Sequence, residues 1–345
     1  MNDLITGSNN ILDQLGSSSE GSLKISELDF TDLYISETGE IRIRGLKDAQ
    51  GPLVSIPSSF VNDVGRVHRM VTSKGAGESE FSIDYDDVRY RVTKIEAQES
   101  TWYTLRRLMH PIPRFQRLGF NPIVVQELGK LGKRPSNGLI LVAGATGNGK
   151  TTTACSLLQE YLYAYGDMAV TIEDPPELRL EGQHGRYGYC LQNKVRDRDF
   201  TSPLRSALRQ NPRYILLGEI RDPDAASEAL RAAISGHVVL STIHAGSIRE
   251  AIVSILKLVS SRLDIELARH MIADGLSAVV HQEMRLIRTT DGRTTRRPFI
   301  KTLFMGDEGL RSKLRGGQMQ LIETDIEQQA SRIAKNRPPL DEDKK

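Results

Sequence analysis

Cysteine is nearly absent: Cys155 and Cys190 are the only two in 345 residues. They share no metal-ligand spacing and give no disulfide framework, which argues against a disulfide-stapled secreted domain and fits a reducing compartment. Long apolar runs are also missing. No stretch reaches the roughly eighteen apolar residues of a membrane span, and the polar N-terminus lacks a basic region followed by an apolar signal core. Nor is either charge in excess: 46 Lys and Arg stand against 44 Asp and Glu, a formal net charge of +2. That balance makes no electrostatic case for a nucleic-acid or membrane partner. These absences imply a cytoplasmic chain with no transmembrane segment.

What is present suits a globular protein of two domains, with 39% hydrophobic and 26% charged residues. Residues 1–21, rich in Asn, Ser and Gly, read as a flexible leader. Over 22–109, short β-type runs such as Asp32-Leu33-Tyr34-Ile35-Ser36 and Val88-Arg89-Tyr90-Arg91-Val92 are punctuated by turns at Thr38-Gly39 and Asp86-Asp87. Val61, Val64, Val67 and Met70 recur at helical spacing. A small α+β domain follows from this. Pro111 and Pro113 restrict the backbone and make 110–121 a linker. Residues 122–330 form an α/β domain, opened by Asn121 as cap and Pro122 in the first helical turn, and 331–345 is a charged tail.

Gly144, Ala145, Thr146, Gly147, Asn148, Gly149, Lys150 and Thr151 match G-x-x-x-x-G-K-[ST] in full. The match follows the apolar run Leu139-Ile140-Leu141-Val142-Ala143 and opens a helical pattern, the strand-loop-helix context of a phosphate-binding loop. Glycines let successive N–H groups turn onto phosphate oxygens. Lys150 adds a point charge, the Thr151 hydroxyl can ligate magnesium, and Thr152 lies beside it. Nucleotide binding is the first functional conclusion; because Asn193-Lys194-Val195-Arg196 lacks the aspartate of a guanine-reading N-K-x-D motif, ATP and Mg2+ are the expected ligands.

Downstream, an apolar strand 168–172 ends on Glu173, 214–217 ends on Gly218-Glu219, and 238–240 ends before Ser241-Thr242-Ile243-His244. In an open parallel sheet these ends should converge beside the loop. Glu173 and Glu219 can then serve as general base and as a metal-site or water-positioning carboxylate. A helical region beyond Asp264 extends to about Val280, followed by two basic β-type runs about the turn Asp291-Gly292.

Thr171-Ile172-Glu173-Asp174-Pro175-Pro176-Glu177 resembles the acidic box of the secretion ATPase superfamily. Ile215-Leu216-Leu217-Gly218-Glu219-Ile220-Arg221-Asp222 resembles its Walker B segment, where glycine precedes the glutamate. Ser235-Gly236-His237 through His244 is similar to its histidine box, and Phe30-Thr31-Asp32-Leu33-Tyr34-Ile35 to the opening of its PAS-like domain. The resemblance implies a RecA-like P-loop ATPase domain preceded by a smaller PAS-like α+β domain. It implies Glu173 as catalytic base, Glu219 at the magnesium site, directly or through water, and His237 and His244 as nucleotide-site histidines. Arg91 and Arg106 match arginines that reach a neighbouring subunit's nucleotide in a homohexamer.

Within that superfamily the chain is most similar to the compact branch of pilus-retraction and type IVB secretion motors, which act against an inner-membrane platform. The implied function is an ATP-driven motor of a type IV secretion, conjugation or pilus machine. Arg285, Arg288, Arg293, Arg296, Arg297 and Lys301 motivate the alternative of a RecA-like nucleic-acid motor. With no aromatic alternation for base stacking, a solvated strand edge explains them better, and no direct nucleic-acid partner is expected.

Overall fold

The computed structural model describes residues 23–47, 49, 51–108, 111–195, 199–288 and 294–340. The leader expected over 1–21 and the turn Asp291-Gly292 lie outside them. The chain divides into two units, Met1–Pro111 and Ile112–Lys345.

The first unit is a six-stranded antiparallel sheet made of β1 (Asp32–Ser36), β2 (Ile41–Arg44), β3 (Leu53–Ser55), β4 (Glu80–Tyr85), β5 (Val88–Glu96) and β6 (Thr101–Arg107). Its strand order is β3-β2-β1-β6-β5-β4. Alternation places Leu33, Ile35, Phe81, Ile83, Val92 and Leu105 on the core face, where α1 (Val61–Lys74) covers them with Val64, Val67 and Val71. The buried stripe of α1 is therefore narrower than the periodicity suggests: Val61 and Met70 face solvent, 46% and 38% exposed. Asp86 and Asp87 take positive φ, 51° and 62°, the backbone that a tight two-residue hairpin needs.

The second unit is built on β7 (Gly138–Ala143), β8 (Asp167–Glu173), β9 (Gly182–His184), β10 (Gly188–Lys194), β11 (Tyr214–Leu217), β12 (Val238–Ile243), β13 (Leu276–Arg288) and β14 (Thr294–Phe304). The order is β14-β13-β7-β12-β11-β8-β10-β9. The strands from β13 to β10 run parallel, and β14 and β9 are antiparallel edges. Each residue of β7 and β12 is buried, because helices cover both faces of a parallel sheet and its strands become continuous apolar runs. The helices are α2 (Pro122–Lys130), α3 (Lys150–Tyr165), α4 (Thr201–Leu208), α5 (Pro223–Ile234), α6 (Ile248–Ser260), α7 (Ile265–Gly275), α8 (Glu308–Arg315) and α9 (Ile322–Ala334). Asn121 caps α2 by accepting from Ile123 N, and Asp222 caps α5 by accepting from Ala225 N.

Boundaries differ from the sequence reading at β12, at the helix before Val280 and at the tail expected over 331–345, into which α9 runs as far as Ala334. β12 continues past Leu240 to Ile243, since Thr242 and Ile243 pair with β7 and the Ser241 and Thr242 hydroxyls donate to Leu217 O and Gly218 O. The helix expected to reach Val280 ends at Gly275. Val279 and Val280 instead pair with Leu141 and Val142 of β7, where β-branched side chains pack well on the pleated surface. Near the C-terminus, α9 carries Ile333 into the core and Leu340 packs against the same cluster.

Candidate active site

Parallel pairing sets the floor of the site. Ile243 lies opposite Ala143, Leu217 opposite Ser241, and Leu217 opposite Ile172, so β7, β12, β11 and β8 finish at one edge. Loop 144–151 leaves β7 there and enters α3 at Lys150. Gly149 caps α3 with φ 77° and ψ 19°, a left-handed conformation that glycine adopts without steric penalty. The 16-residue helix α3 then directs its unpaired N–H groups and positive dipole end at the loop. That is the physical requirement for holding phosphate.

Lys150 is 8% exposed, and its Nζ donates to Ala145 O at 3.0 Å. Burial lowers its pKa, opposed by the nearby carboxylates of Glu219 and Glu177. A buried ammonium held by one loop carbonyl, with two carboxylates nearby, is poised for a polyanion. Thr151 and Thr152 keep partly open side chains in the first turn of α3.

Glu173 is the last residue of β8 and only 2% exposed. Burial pushes its carboxyl pKa up, while the hydrogen bond from Gln192 pulls it back. Gln192 Nε2 reaches Glu173 Oε1 at 2.9 Å and Leu178 O at 2.7 Å, and its Oε1 accepts from Leu180 N at 3.1 Å. Sequence reasoning passed over Gln192. Its signal is register alone, as β10 lies beside β8 and pairs Gln192 with Thr171.

Glu219 follows β11 and the aspartate-replacing Gly218. Its carboxylate is shared: Oε2 accepts from Arg221 Nε and Nη2 at 2.8 and 2.6 Å, and Oε1 lies 3.3 Å from His244 Nε2. A Cβ on Gly218 would sit 3.4 Å from Glu173 Cγ, an ordinary van der Waals contact, so an aspartate here would bring a second carboxylate near a buried one.

The two histidines separate. His244 follows β12 at the site edge, whereas His237 precedes Val238 at the opposite end, seven residues away, or about 23 Å of extended chain. His237 is 9% exposed and its Nδ1 lies 2.6 Å from Pro212 O. A carbonyl can only accept, so Nδ1 carries the proton and the imidazole ties β12 to the turn before β11. The structure places His237, expected at the nucleotide site, at the end of β12 away from loop 144–151.

Arg91 and Arg106 belong to the first unit and are cross-strand partners on β5 and β6. Arg106 Nε donates to Asp32 Oδ1 at 2.9 Å, and Arg91 Nη2 lies 3.5 Å from Glu80 Oε2.

The donor set fits magnesium held with a nucleotide. Among the described residues no group of three or more His, Cys, Asp or Glu could hold a metal alone. A hydroxyl and one carboxylate beside a phosphate cradle are what a cation needs when phosphate and water supply its other oxygens.

Comparison with known proteins places these elements. The family model for type II/IV secretion system proteins matches residues 76–335. Type II secretion system protein E of Klebsiella pneumoniae is 40% identical over 172 residues, 50% of this chain and 31% of that protein. The match therefore spans about a third of that relative's length. Among solved structures, the pilus retraction motor PilT with bound ADP aligns at 26% identity over 88% of this chain and 89% of its own, TM-score 0.71. The Legionella pneumophila ATPase DotB aligns at 21% identity over 85% and 84%, TM-score 0.65, a likeness of fold. The larger unit is RecA-like.

Proposed function

This chain belongs to the type II/IV secretion system protein family, and from that premise we propose that it is a magnesium-dependent ATPase acting as a homohexameric motor. Its load is the machinery of type IV secretion, conjugation or a type IV pilus, met at an inner-membrane platform from the cytoplasmic side. Among the described residues no helix is long and apolar enough to cross a membrane. The observation that carries the proposal is the single sheet edge shared by loop 144–151, Glu173, Glu219 and His244.

In this reading the loop N–H groups and Lys150 bind the β- and γ-phosphates of ATP. Thr151 and, through water, Glu219 would hold magnesium, which would supply positive charge against the phosphates. Glu173 takes a proton from the attacking water as that oxygen bonds to the γ-phosphorus and the bond to ADP breaks. A carboxyl whose pKa is raised by burial is a stronger base than an exposed one, and Gln192 holds it in one orientation. His244 steadies Glu219. Arg91 and Arg106 complete the charge from the adjoining subunit, so hydrolysis depends on closure between subunits and turns the smaller unit about the Pro111–Pro113 linker.

Purified chain should hydrolyse ATP only with magnesium, prefer ATP to GTP, and assemble as six copies by native mass measurement. Lys150→Ala should abolish turnover. A folded Lys150→Ala variant with undiminished turnover would sink the proposal.

A further inference from the structure

Gln282 lies on β13, outside every motif read from the sequence, and is only 3% exposed. Both ends of its amide are engaged. Nε2 donates to Asn148 O at 2.5 Å, and Oε1 accepts from Thr153 Oγ1 at 2.7 Å. A backbone carbonyl can only accept, so the nitrogen must face Asn148, the oxygen must face Thr153, and the threonine must donate its proton there. One buried amide thus joins the tip of the phosphate loop to the first turn of α3.

Three further contacts bring the same strand against the loop. Asn148 Oδ1 accepts from Met284 N at 3.2 Å. A Cβ on Gly144 would fall 2.4 Å from Gln282 O, and one on Gly149 would fall 2.9 Å from Gln282 Nε2. The motif's first and last glycines are therefore shaped around Gln282 as well as around phosphate. By contrast, Lys150 touches the loop only through Ala145 O among the hydrogen bonds described.

We infer that Gln282 is a positioning residue that holds loop 144–151 open before nucleotide arrives, acting through Asn148 and Thr153 and not touching the nucleotide itself. The inference rests on the reading of 144–151 as a phosphate-binding loop. Without Gln282, binding energy is spent on ordering the loop, so affinity falls while the bound complex reacts nearly as before. A buried amide partner left unsatisfied weakens binding about tenfold. That is the kinetic signature of lost uniform binding, a raised KM with kcat little changed.

The test uses the full chain and a fluorescent ATP analogue, titrated with and without EDTA, beside steady-state ATPase and hydrogen exchange of the loop amides. Gln282→Met, of similar length but without the amide, should weaken binding about tenfold in EDTA as well as in magnesium, raise KM in step, and speed exchange at Asn148 and Gly149. Thr153→Val should lose affinity in the same direction, and Thr153→Ser, which restores the hydroxyl, should recover most of it. The Gln282→Met and Thr153→Val double variant should lose less than the two losses combined. Unchanged affinity in folded Gln282→Met, or equal loss in Thr153→Val and Thr153→Ser, overturns the inference. If Gln282→Met does not fold, the Thr153 pair decides it. If the unaltered chain binds no nucleotide, the phosphate-loop reading fails first.

Discussion

Arg91 and Arg106 stand directly opposite each other across the ladder between β5 and β6. Like charges in that relation repel, and the neighbouring carboxylates offset the repulsion. Asp32, opposite Arg106 on β1, takes its Nε, and Glu80 lies near Arg91. The Arg106 side chain is 68% exposed but that of Asp32 only 6%, so removing Arg106 leaves a buried carboxylate without that partner. Arg91→Ala should leave the melting temperature nearly unmoved, Arg106→Ala should lower it, and both should lower hydrolysis by roughly tenfold or more. If the arginines act in trans, mixing Arg91→Ala subunits with Lys150→Ala subunits restores activity, because some interfaces then join an intact loop to an intact arginine. Confirmed co-assembly without recovery would exclude that arrangement.

Glu173 sets a pH dependence of known sign. Its folded pKa lies above the ordinary 4.5 because burial disfavours the carboxylate. Turnover should therefore rise with pH through an apparent pKa above 4.5, as the base loses its proton. Stability moves the other way: between the unfolded and folded pKa values the native state holds more protons, so rising pH erodes stability. Glu173→Gln should abolish turnover, remove this limb of the unfolding profile and raise the melting temperature at neutral pH. Turnover near that of the unaltered chain would refute its role as base.

Much of this arrangement was legible because its elements are local. The octet 144–151, the carboxylates at strand ends and the capped helices each carry their signal within a few residues. Gln192 and Gln282 were not legible. Each acts across a strand pair or a sequence separation of 134 residues, as between Gln282 and Asn148, and a glutamine in a strand carries no motif. His237 stands apart from His244 because their box spans all of β12, and a motif does not say which end of its strand meets the ligand. The overlong helix before Val280 had the same origin, since a short apolar run fits a helical face and a buried strand equally.

Gly218 offers a direct test of why glycine replaces aspartate. Gly218→Ala adds a Cβ at an ordinary contact distance, 3.4 Å from Glu173 Cγ, and should be tolerated. Gly218→Asp brings a second carboxylate against the buried one. Overpacking alone should destabilise by about 1–3 kcal/mol, and the added negative charge should move the acid limb of the rate profile to higher pH. Differential scanning calorimetry and a pH–rate series check both, and an unshifted limb in a folded variant would show that the two side chains do not meet.

The contact between Glu219 and His244 makes a prediction that neither residue makes alone. With Arg221 on Oε2 and His244 near Oε1, the carboxylate is oriented from both sides, although Arg221 and His244 are 61% and 49% exposed. If His244 works by orienting Glu219, its loss is costly only while Glu219 is present. His244→Ala should then lower kcat by roughly tenfold in the unaltered background and have almost no further effect in Glu219→Gln, a coupling of about 1.4 kcal/mol. Arg221→Lys keeps the charge but loses the two-pronged donor geometry, so it should fall between Arg221→Ala and the unaltered chain. Strictly additive losses for His244 and Glu219 would instead give His244 its own contact with the nucleotide, and steady-state kinetics of the four chains distinguish the two outcomes.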